Sequence, residues 1–335
     1  MTGLQDIVGE GLLAVVAAVG LGGLVGLGEL LRWGGVSART TRRLVHIGVS
    51  LFVASTPLVF GRPLPVYGLA GLFVVLNAAA RVQQWWPGLH AARPASWGTV
   101  ALPLSVLPAL AATWTVSPDR ILAFQAAYLV LAVADPAASW VGEWRAPGSQ
   151  DRSATLPGSL AFATITLVLI GGLLTFRSPE TIGIWGAAGA ITLVATVSEA
   201  VSSRGWDNLF VVAAVVLVLV PLQTGRLHLF QFGGALLTGV GFGGGAYWTH
   251  ALDARGAVTG GLFAAALVGL GGWAWIVPGI VFFGLSSALT GLNDPEEEPS
   301  VRRTQRQVLA NGGVAWTALA VVAVAPLGAS TIHGL

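Results

Sequence analysis

Residues 121–141 read ILAFQAAYLVLAVADPAASWV. As a helix this run is about 30 Å long, the thickness of a bilayer's hydrocarbon core. It holds a single ionisable acid, Asp135, followed by Pro136. A carboxylate at the centre of a membrane helix costs about 3 kcal/mol or more. One kept there marks a partner or a task. Outward from this run, similar ones are Gly11–Leu31, Leu44–Phe60, Leu64–Ala80 and Gly98–Val116 on one side. On the other are Leu156–Phe176, Ile182–Val201, Leu209–Leu222, Leu229–Ala251, Ala257–Trp273, Trp275–Thr290 and Leu309–Pro326. The pattern predicts an all-α, polytopic integral membrane protein of about twelve transmembrane helices, the tenth and eleventh short and tightly joined.

Composition points the same way. Of 335 residues 54% are hydrophobic and 10% charged, against about 25% charged in an ordinary soluble domain. Mean hydropathy is +0.77. A soluble enzyme, a disordered chain and a coiled coil are all excluded. The net charge is only +2 and the arginines sit in short loops, so no nucleic-acid partner is expected. There is no cysteine, hence no disulfide, thiol nucleophile or thiolate metal site. There is also no lysine, so all 17 basic residues are arginine. A phosphate must then be held by arginine, backbone N–H groups or a metal. Met1–Glu10 carries acids but no base, and a span-length run follows, which does not read as a cleaved signal.

With the N-terminus outside, only Arg62, Arg120, Arg177 and Arg226 fall in outer loops, and every other arginine falls inside. The positive-inside rule makes the arginine-rich side cytoplasmic. Most acids share that side: Glu29, Asp135, Glu143, Asp151, Glu199, Asp207, Asp253, Asp294 and Glu296–Glu298. The rule does not demand acids there, so a polar cluster of both signs reads as a site facing the cytoplasm in an inner or plasma membrane. Glu296–Glu298 beside Arg302 and Arg303 reads as a solvated loop. Trp85, Trp86 and Trp97 around Arg81, His90 and Arg93 read as an interfacial belt, or as an amphipathic segment that admits a lipid.

Five places carry candidate chemistry. Arg42 and Arg43 open the second span, with His46 one turn on and Glu29 facing; the arginines suit phosphate or mark topology. Asn77 and Arg81 lie one turn apart and suit a phosphate or a sugar hydroxyl, or a helix-end hydrogen bond. Asp135, with Pro136 and the small Ala137, Ala138 and Gly142, suits Mg²⁺ bound to a nucleotide. Gly158-Ser159 opens the sixth span as an anion site or an ordinary cap. Glu199 through Asp207-Asn208 brackets a short turn that suits metal or ribose, or an internal pairing with Arg204. All five share one membrane face. They describe a polytopic enzyme that binds a polyphosphate and Mg²⁺ and acts on a lipid-soluble second substrate.

The ordered set Glu29, Arg42-Arg43, His46-Ile47-Gly48, Asn77, Ser96-Trp97-Gly98-Thr99 with Pro103, Asp135 to Gly142, Gly158-Ser159-Leu160-Ala161 and Glu199 to Asn208 resembles the dolichol kinase and phytol kinase family. Those are membrane enzymes that phosphorylate isoprenoid alcohols, typically with CTP. The resemblance spans about residues 1–225. It differs at Ala134, where the family usually has glycine, and at Ala154, where it usually has lysine; Arg152 lies two residues away. Residues 226–335 resemble the start of the family related to transmembrane protein nineteen, which contains phytyl-phosphate kinases. The matching residues are Leu252-Asp253 and Gly256-Ala257, Gly271-Gly272-Trp273, Phe282-Phe283 with Ser286-Ser287 and Thr290, and Arg306 to Gly313. That family continues into an Ala-Asp-Thr motif that is not reached before Leu335, so the expectation is either a piece of a longer fusion or a partial module that serves as scaffold or partner surface.

The resemblance implies a kinase for an alcohol such as phytol or geranylgeraniol, with CTP as donor and Mg²⁺ as cofactor. Asp135, Glu199, Asp207 and His46 would form the catalytic group, Asp135 and Asp207 holding the metal. Arg42, Arg43, Asn77, Arg81, Gly158, Ser159 and Asn208 would bind the nucleotide. The partners implied are the bilayer, the alcohol and the nucleotide, with self-association left open. Two alternatives are a phospholipid cytidylyltransferase, which would release pyrophosphate, and a transporter or scaffold without catalysis.

Overall fold

The computed structural model describes residues 2–83, 96–145, 155–177, 183–293 and 302–325. Among these residues the chain is all-helical apart from an isolated bridge between Leu252 and Arg303. Every predicted apolar run is a helix. They are α1 (Thr2–Trp33), α2 (Ala38–Val59), α3 (Leu64–Val82), α4 (Gly98–Ala112), α5 (Ile121–Arg145) and α6 (Leu156–Arg177). Then follow α7 (Ile184–Val201), α8 (Asp207–Gln223), α9 (Leu229–Trp248), α10 (Ala254–Ala266), α11 (Trp273–Asn293) and α12 (Gln305–Val324). The protein is a polytopic integral membrane protein. Among the described residues seven helices are long and apolar enough to cross a bilayer, and α4, α8 and part of α11 are shorter apolar helices. α2 misses that measure because Arg39, Arg42 and Arg43 open it, and α9 because glycine dilutes its apolar content.

The chain divides into two compact units, Met1–Val216 and Leu217–Leu335. In the first, α5 is the central helix and packs on α2 and α6. Its segment Ala123–Ala127 is completely or almost completely buried, as are Tyr128, Val130 and Leu131. Some polar groups in this core are paired across helices, which offsets the cost of burying them, whereas the Ser50, Thr166 and Thr192 hydroxyls are buried without a hydrogen-bond partner among the described residues. Tyr128 and Ser105 of α4 share a hydrogen bond of 2.9 Å between their hydroxyls, and Gln125 donates to the Ala54 carbonyl of α2 at 3.2 Å. α3 and α4 pack together, and α1 lies on α2 and α3. α4 stops at Ala112, shorter than the apolar run predicts, because Thr113 leaves helical geometry and turns its hydroxyl onto the Ala109 carbonyl.

The second unit is built on a close crossing of α9 and α10. A Cβ at Gly243 would sit 2.6 Å from the Ala257 carbonyl oxygen, and one at Gly261 2.7 Å from that of Gly239. α10 continues into a π-turn, Leu267–Gly271, and ends where Gly272 takes φ +84°. That turn separates the tenth and eleventh runs. Asp253 caps α10 through the Gly256 N–H at 2.6 Å, and Arg226 caps α12 through the Val322 and Ala323 carbonyls.

Candidate functional site

The site grows from a knot at the start of α4. The turn between α7 and α8 carries Arg204 at φ 57° and Gly205 at φ +87°. This left-handed pair folds the chain back onto Ser96-Trp97-Gly98. The Trp97 N–H donates to the Arg204 carbonyl at 2.6 Å. The buried Asn208 donates to the Gly98 carbonyl at 2.9 Å. Ser96 Oγ accepts from Arg42 at 2.8 Å and from the Gly98 N–H at 3.2 Å. Arg81 donates to the Ser96 carbonyl at 2.7 Å, with its guanidinium 4.5 Å over the Trp97 ring. Residues of α2, α3 and α8 thus converge on one helix start. Gly205 is fixed by space as well as by φ, since a Cβ there would lie 2.5 Å from Ser96 Oγ.

A second set of contacts ties α2 to α5. His46 Nε2 lies 3.0 Å from the Leu131 carbonyl and 3.3 Å from Asp135 Oδ2. A carbonyl only accepts, so Nε2 carries the proton and the unprotonated nitrogen of a neutral ring is Nδ1. Arg43 donates to Ser139 Oγ at 3.0 Å and pairs with Glu143 at 2.5 Å; Arg39 stands 4.0 Å from Glu143. Ser159 donates to Glu199 at 3.5 Å, and the charges of Asp135 and Asp207 both act on Glu199. Asp207 Oδ1 is buried without a hydrogen-bond partner among the described residues.

The structure therefore gathers Asp135, Glu199 and Asp207 into one electrostatic neighbourhood and sets His46 against Asp135. The arginines assigned to phosphate are engaged with protein: Arg42 and Arg81 brace the knot, and Arg43 holds α5. Asn77 donates to the Phe73 carbonyl of its own helix at 2.7 Å, the helix-end bond. The Gly158 N–H donates to Thr155 Oγ1 at 3.2 Å, so that helix start is capped by its own chain. Gly158 also admits α5, since a Cβ there would meet the Ala138 carbonyl at 2.9 Å. Trp85, Trp86, His90, Arg93, Arg152, Ala154 and Glu296–Glu298 lie outside the described residues.

Above this polar floor opens a cavity of about 110 Å³ that the sequence reading did not reach. Arg42, His46, Asn77, Thr99 and Asn208 form its polar end. Thr99 Oγ1 there is buried and without a hydrogen-bond partner among the described residues. The rest of the wall is apolar: Val49, Phe52, Phe73, Leu102 and Val106 among others, with Leu21 and Val25 from α1. No single motif marks the apolar wall, because it comes from four helices, α1 to α4, whose apolar residues look like any lipid-facing or core residue. The polar end did carry local signals: Arg42, His46, Asn77 and Asn208 were candidates, and Thr99 closes the quoted Ser96-Trp97-Gly98-Thr99.

A Mg²⁺ ion was expected here. Among the described residues no three acids or histidines stand close enough to enclose a metal. Mg²⁺ does not need such a cage, since it takes one or two carboxylates and completes its shell with water and phosphate oxygens. Asp207 Oδ1, buried and unpartnered, beside Glu199, fits that mode. Residues 236–333 match the family model described as integral membrane protein DUF92. The matched segment lies within the second unit and includes neither the cavity nor its polar end. No curated protein and no solved structure matches the chain.

Proposed function

We propose that the protein phosphorylates an isoprenoid alcohol at the cytoplasmic face of its membrane, with a nucleoside triphosphate, CTP by resemblance, as donor. The supporting observation is the cavity: an apolar channel whose polar end holds a histidine oriented by a carboxylate. The hydroxyl end of a prenyl alcohol, about one isoprene unit, matches such a cavity of about 110 Å³, with the hydroxyl at His46, Thr99 and Asn208 and the rest of the chain left outside the cavity. The resemblance of residues 1–225 to prenol kinases supports the same reading.

In the proposed reaction His46 Nδ1 accepts the proton of the alcohol. Asp135 holds the ring through Nε2 and stabilises the imidazolium that results. The alcohol oxygen bonds to the γ-phosphorus, the bond from that phosphorus to the β–γ bridging oxygen breaks, and the nucleoside diphosphate leaves with the electron pair. Arg42, which lines the cavity beside Ser96, faces the developing negative charge. Asp207 and Glu199 would hold Mg²⁺, which when bound neutralises phosphate charge. General-base help of this kind contributes about 10²–10⁴-fold.

The test uses purified protein in detergent with Mg²⁺, γ-labelled CTP, ATP, GTP or UTP, and a panel of prenyl alcohols, following label into the lipid phase. Label on an alcohol is expected. Asp135→Asn and His46→Ala should each lower turnover by about 10²-fold or more while thermal unfolding stays that of the parent. No label with any pair, or unchanged turnover in Asp135→Asn, would overturn the reading.

A further inference from the structure

The cavity houses only the hydroxyl end of a prenyl alcohol, so the rest of the chain has to leave it. Three of its sides offer no exit. At the polar end Arg42, His46, Asn77 and Asn208 would surround an apolar chain with polar groups. At the inner end Thr56 is 0% exposed, Val66 3% and Val106 2%. On the α4 side Gly98, Leu102 and Pro103 are buried. The side formed by α1, α2 and α3 differs. Val25, Val49, Phe52 and Phe73 line the cavity and are each only half-buried. α1 closes tightly on α2, where a Cβ at Gly48 would lie 2.6 Å from Leu24 and one at Gly28 2.8 Å from Val45. The same contacts set Val25 level with the His46–Val49 turn of α2. Phe73 lies one turn, about 5.4 Å, inward from Asn77. The borders between α1 and α3 are open at this level. A Cβ at Gly22 or Gly26, beside Val25, would meet nothing within 4 Å, and Leu72 and Leu76, beside Phe73, are exposed.

We propose that the cavity opens sideways into the bilayer between α1 and α3, at Val25 and Phe73, and that the chain of the bound alcohol leaves by this portal and lies in lipid. An apolar chain is held out of water by either surrounding, protein or hydrocarbon, so the alcohol reaches the cavity from the membrane without crossing water. Val25 and Phe73 touch the chain where it passes from cavity to bilayer. Side-chain bulk at these two positions decides what passes, and the far end of the chain is read by no part of the protein. The inference rests on the cavity being the seat of the alcohol's hydroxyl end, as proposed above.

The experiment uses full-length protein in lipid nanodiscs, without nucleotide, and two photoreactive farnesol analogues. One carries a diazirine in the isoprene unit next to the hydroxyl, the other in the unit farthest from it. Labelled residues are mapped by mass spectrometry, and displacement by unlabelled farnesol separates bound probe from random labelling. The first probe should label the cavity, on α2 and α4. The second should label α1 and α3 around Val25 and Phe73, together with the surrounding lipid. Displaceable labelling of Thr56, Val66 or Val106 by the second probe would send the chain inward and overturn the portal, with the kinase reading intact. No displaceable labelling by either probe would overturn both. The expected pattern without phosphate transfer in the nucleotide assay would remove the kinase reading and leave the portal standing. Val25→Phe adds a kinetic readout. It should lower kcat/KM for farnesol relative to prenol, a single isoprene unit that needs no exit, by about tenfold. An unchanged ratio would overturn the portal at Val25. The photolabelling is made on the parent protein and decides the matter if that variant fails to fold.

Discussion

The two units hold their helices together by different means. In the first, polar side chains from distant helices meet at one place: Arg42, Arg81 and Asn208 on the start of α4, His46 on Asp135, and Arg43 on Ser139 and Glu143. In the second, α9 and α10 approach through glycine until backbone faces backbone. Close packing of this kind suits a membrane, where small residues let dispersion contacts accumulate; the polar cross-links this unit adds, Arg226 to the Val322 and Ala323 carbonyls and Gln231 to the Gly269 carbonyl, run to backbone and do not meet at one place. Buried polar cross-links are costly when incomplete, and a chain that keeps many of them at one helix end has them for more than cohesion. Under the proposed function, the contrast is between the unit that would hold the chemistry and one held together by close packing.

The largest effect that would test this contrast is at Gly205. Gly205→Ala asks a Cβ to enter a left-handed turn and press on Ser96 and Gly98. Strain and overlap together should cost about 3 kcal/mol and disconnect the turn from α4. Both alcohol binding and thermal stability should fall, the second followed by tryptophan fluorescence in detergent. Gly243→Ala in the second unit meets the Ala257 carbonyl instead. It should cost about 2 kcal/mol by forcing α9 from α10, with alcohol displacement unchanged. Loss of alcohol binding in Gly243→Ala would dissolve the distinction between the units.

The helices were legible because apolar runs of span length admit few other fates in a chain with so little charge. Their ends were less so: α4 is cut at Thr113, and a π-turn rather than a loop divides α10 from α11. Of the site, Asp135, Glu199 and Asp207 stood out as acids in apolar surroundings, and His46 as a histidine among arginines. What those residues touch was not legible. One oxygen of Asp135 faces His46, a contact the sequence does not announce, and Arg42, Arg43 and Arg81 also brace neighbouring elements. Such pairings join residues far apart in the chain, Arg43 with Ser139 or Asn208 with Gly98, and local pattern carries no trace of them. The cavity was invisible for a related reason: it is the space left between helices whose residues each look like ordinary apolar ones.

The smallest effect concerns the caps. Asp253 accepts the Gly256 N–H at 2.6 Å, and its own N–H donates to the Arg303 carbonyl at 3.0 Å. The first contact is made by the side chain and the second by backbone, so substitution separates them. Asp253→Ala removes only the cap and should cost about 1 kcal/mol. Asp253→Asn keeps an acceptor oxygen and should cost much less. Charge adds to the cap, because a carboxylate at a helix start meets the positive end of the helix dipole, worth about 0.5 kcal/mol. The asparagine variant should therefore fall between parent and alanine, nearer the parent, in thermal unfolding in detergent. If asparagine is as damaging as alanine, Asp253 acts through its charge on Arg302 or Arg303 rather than through the helix. The second unit would then hold a polar network of its own, and the contrast with the first would narrow to the glycine crossing.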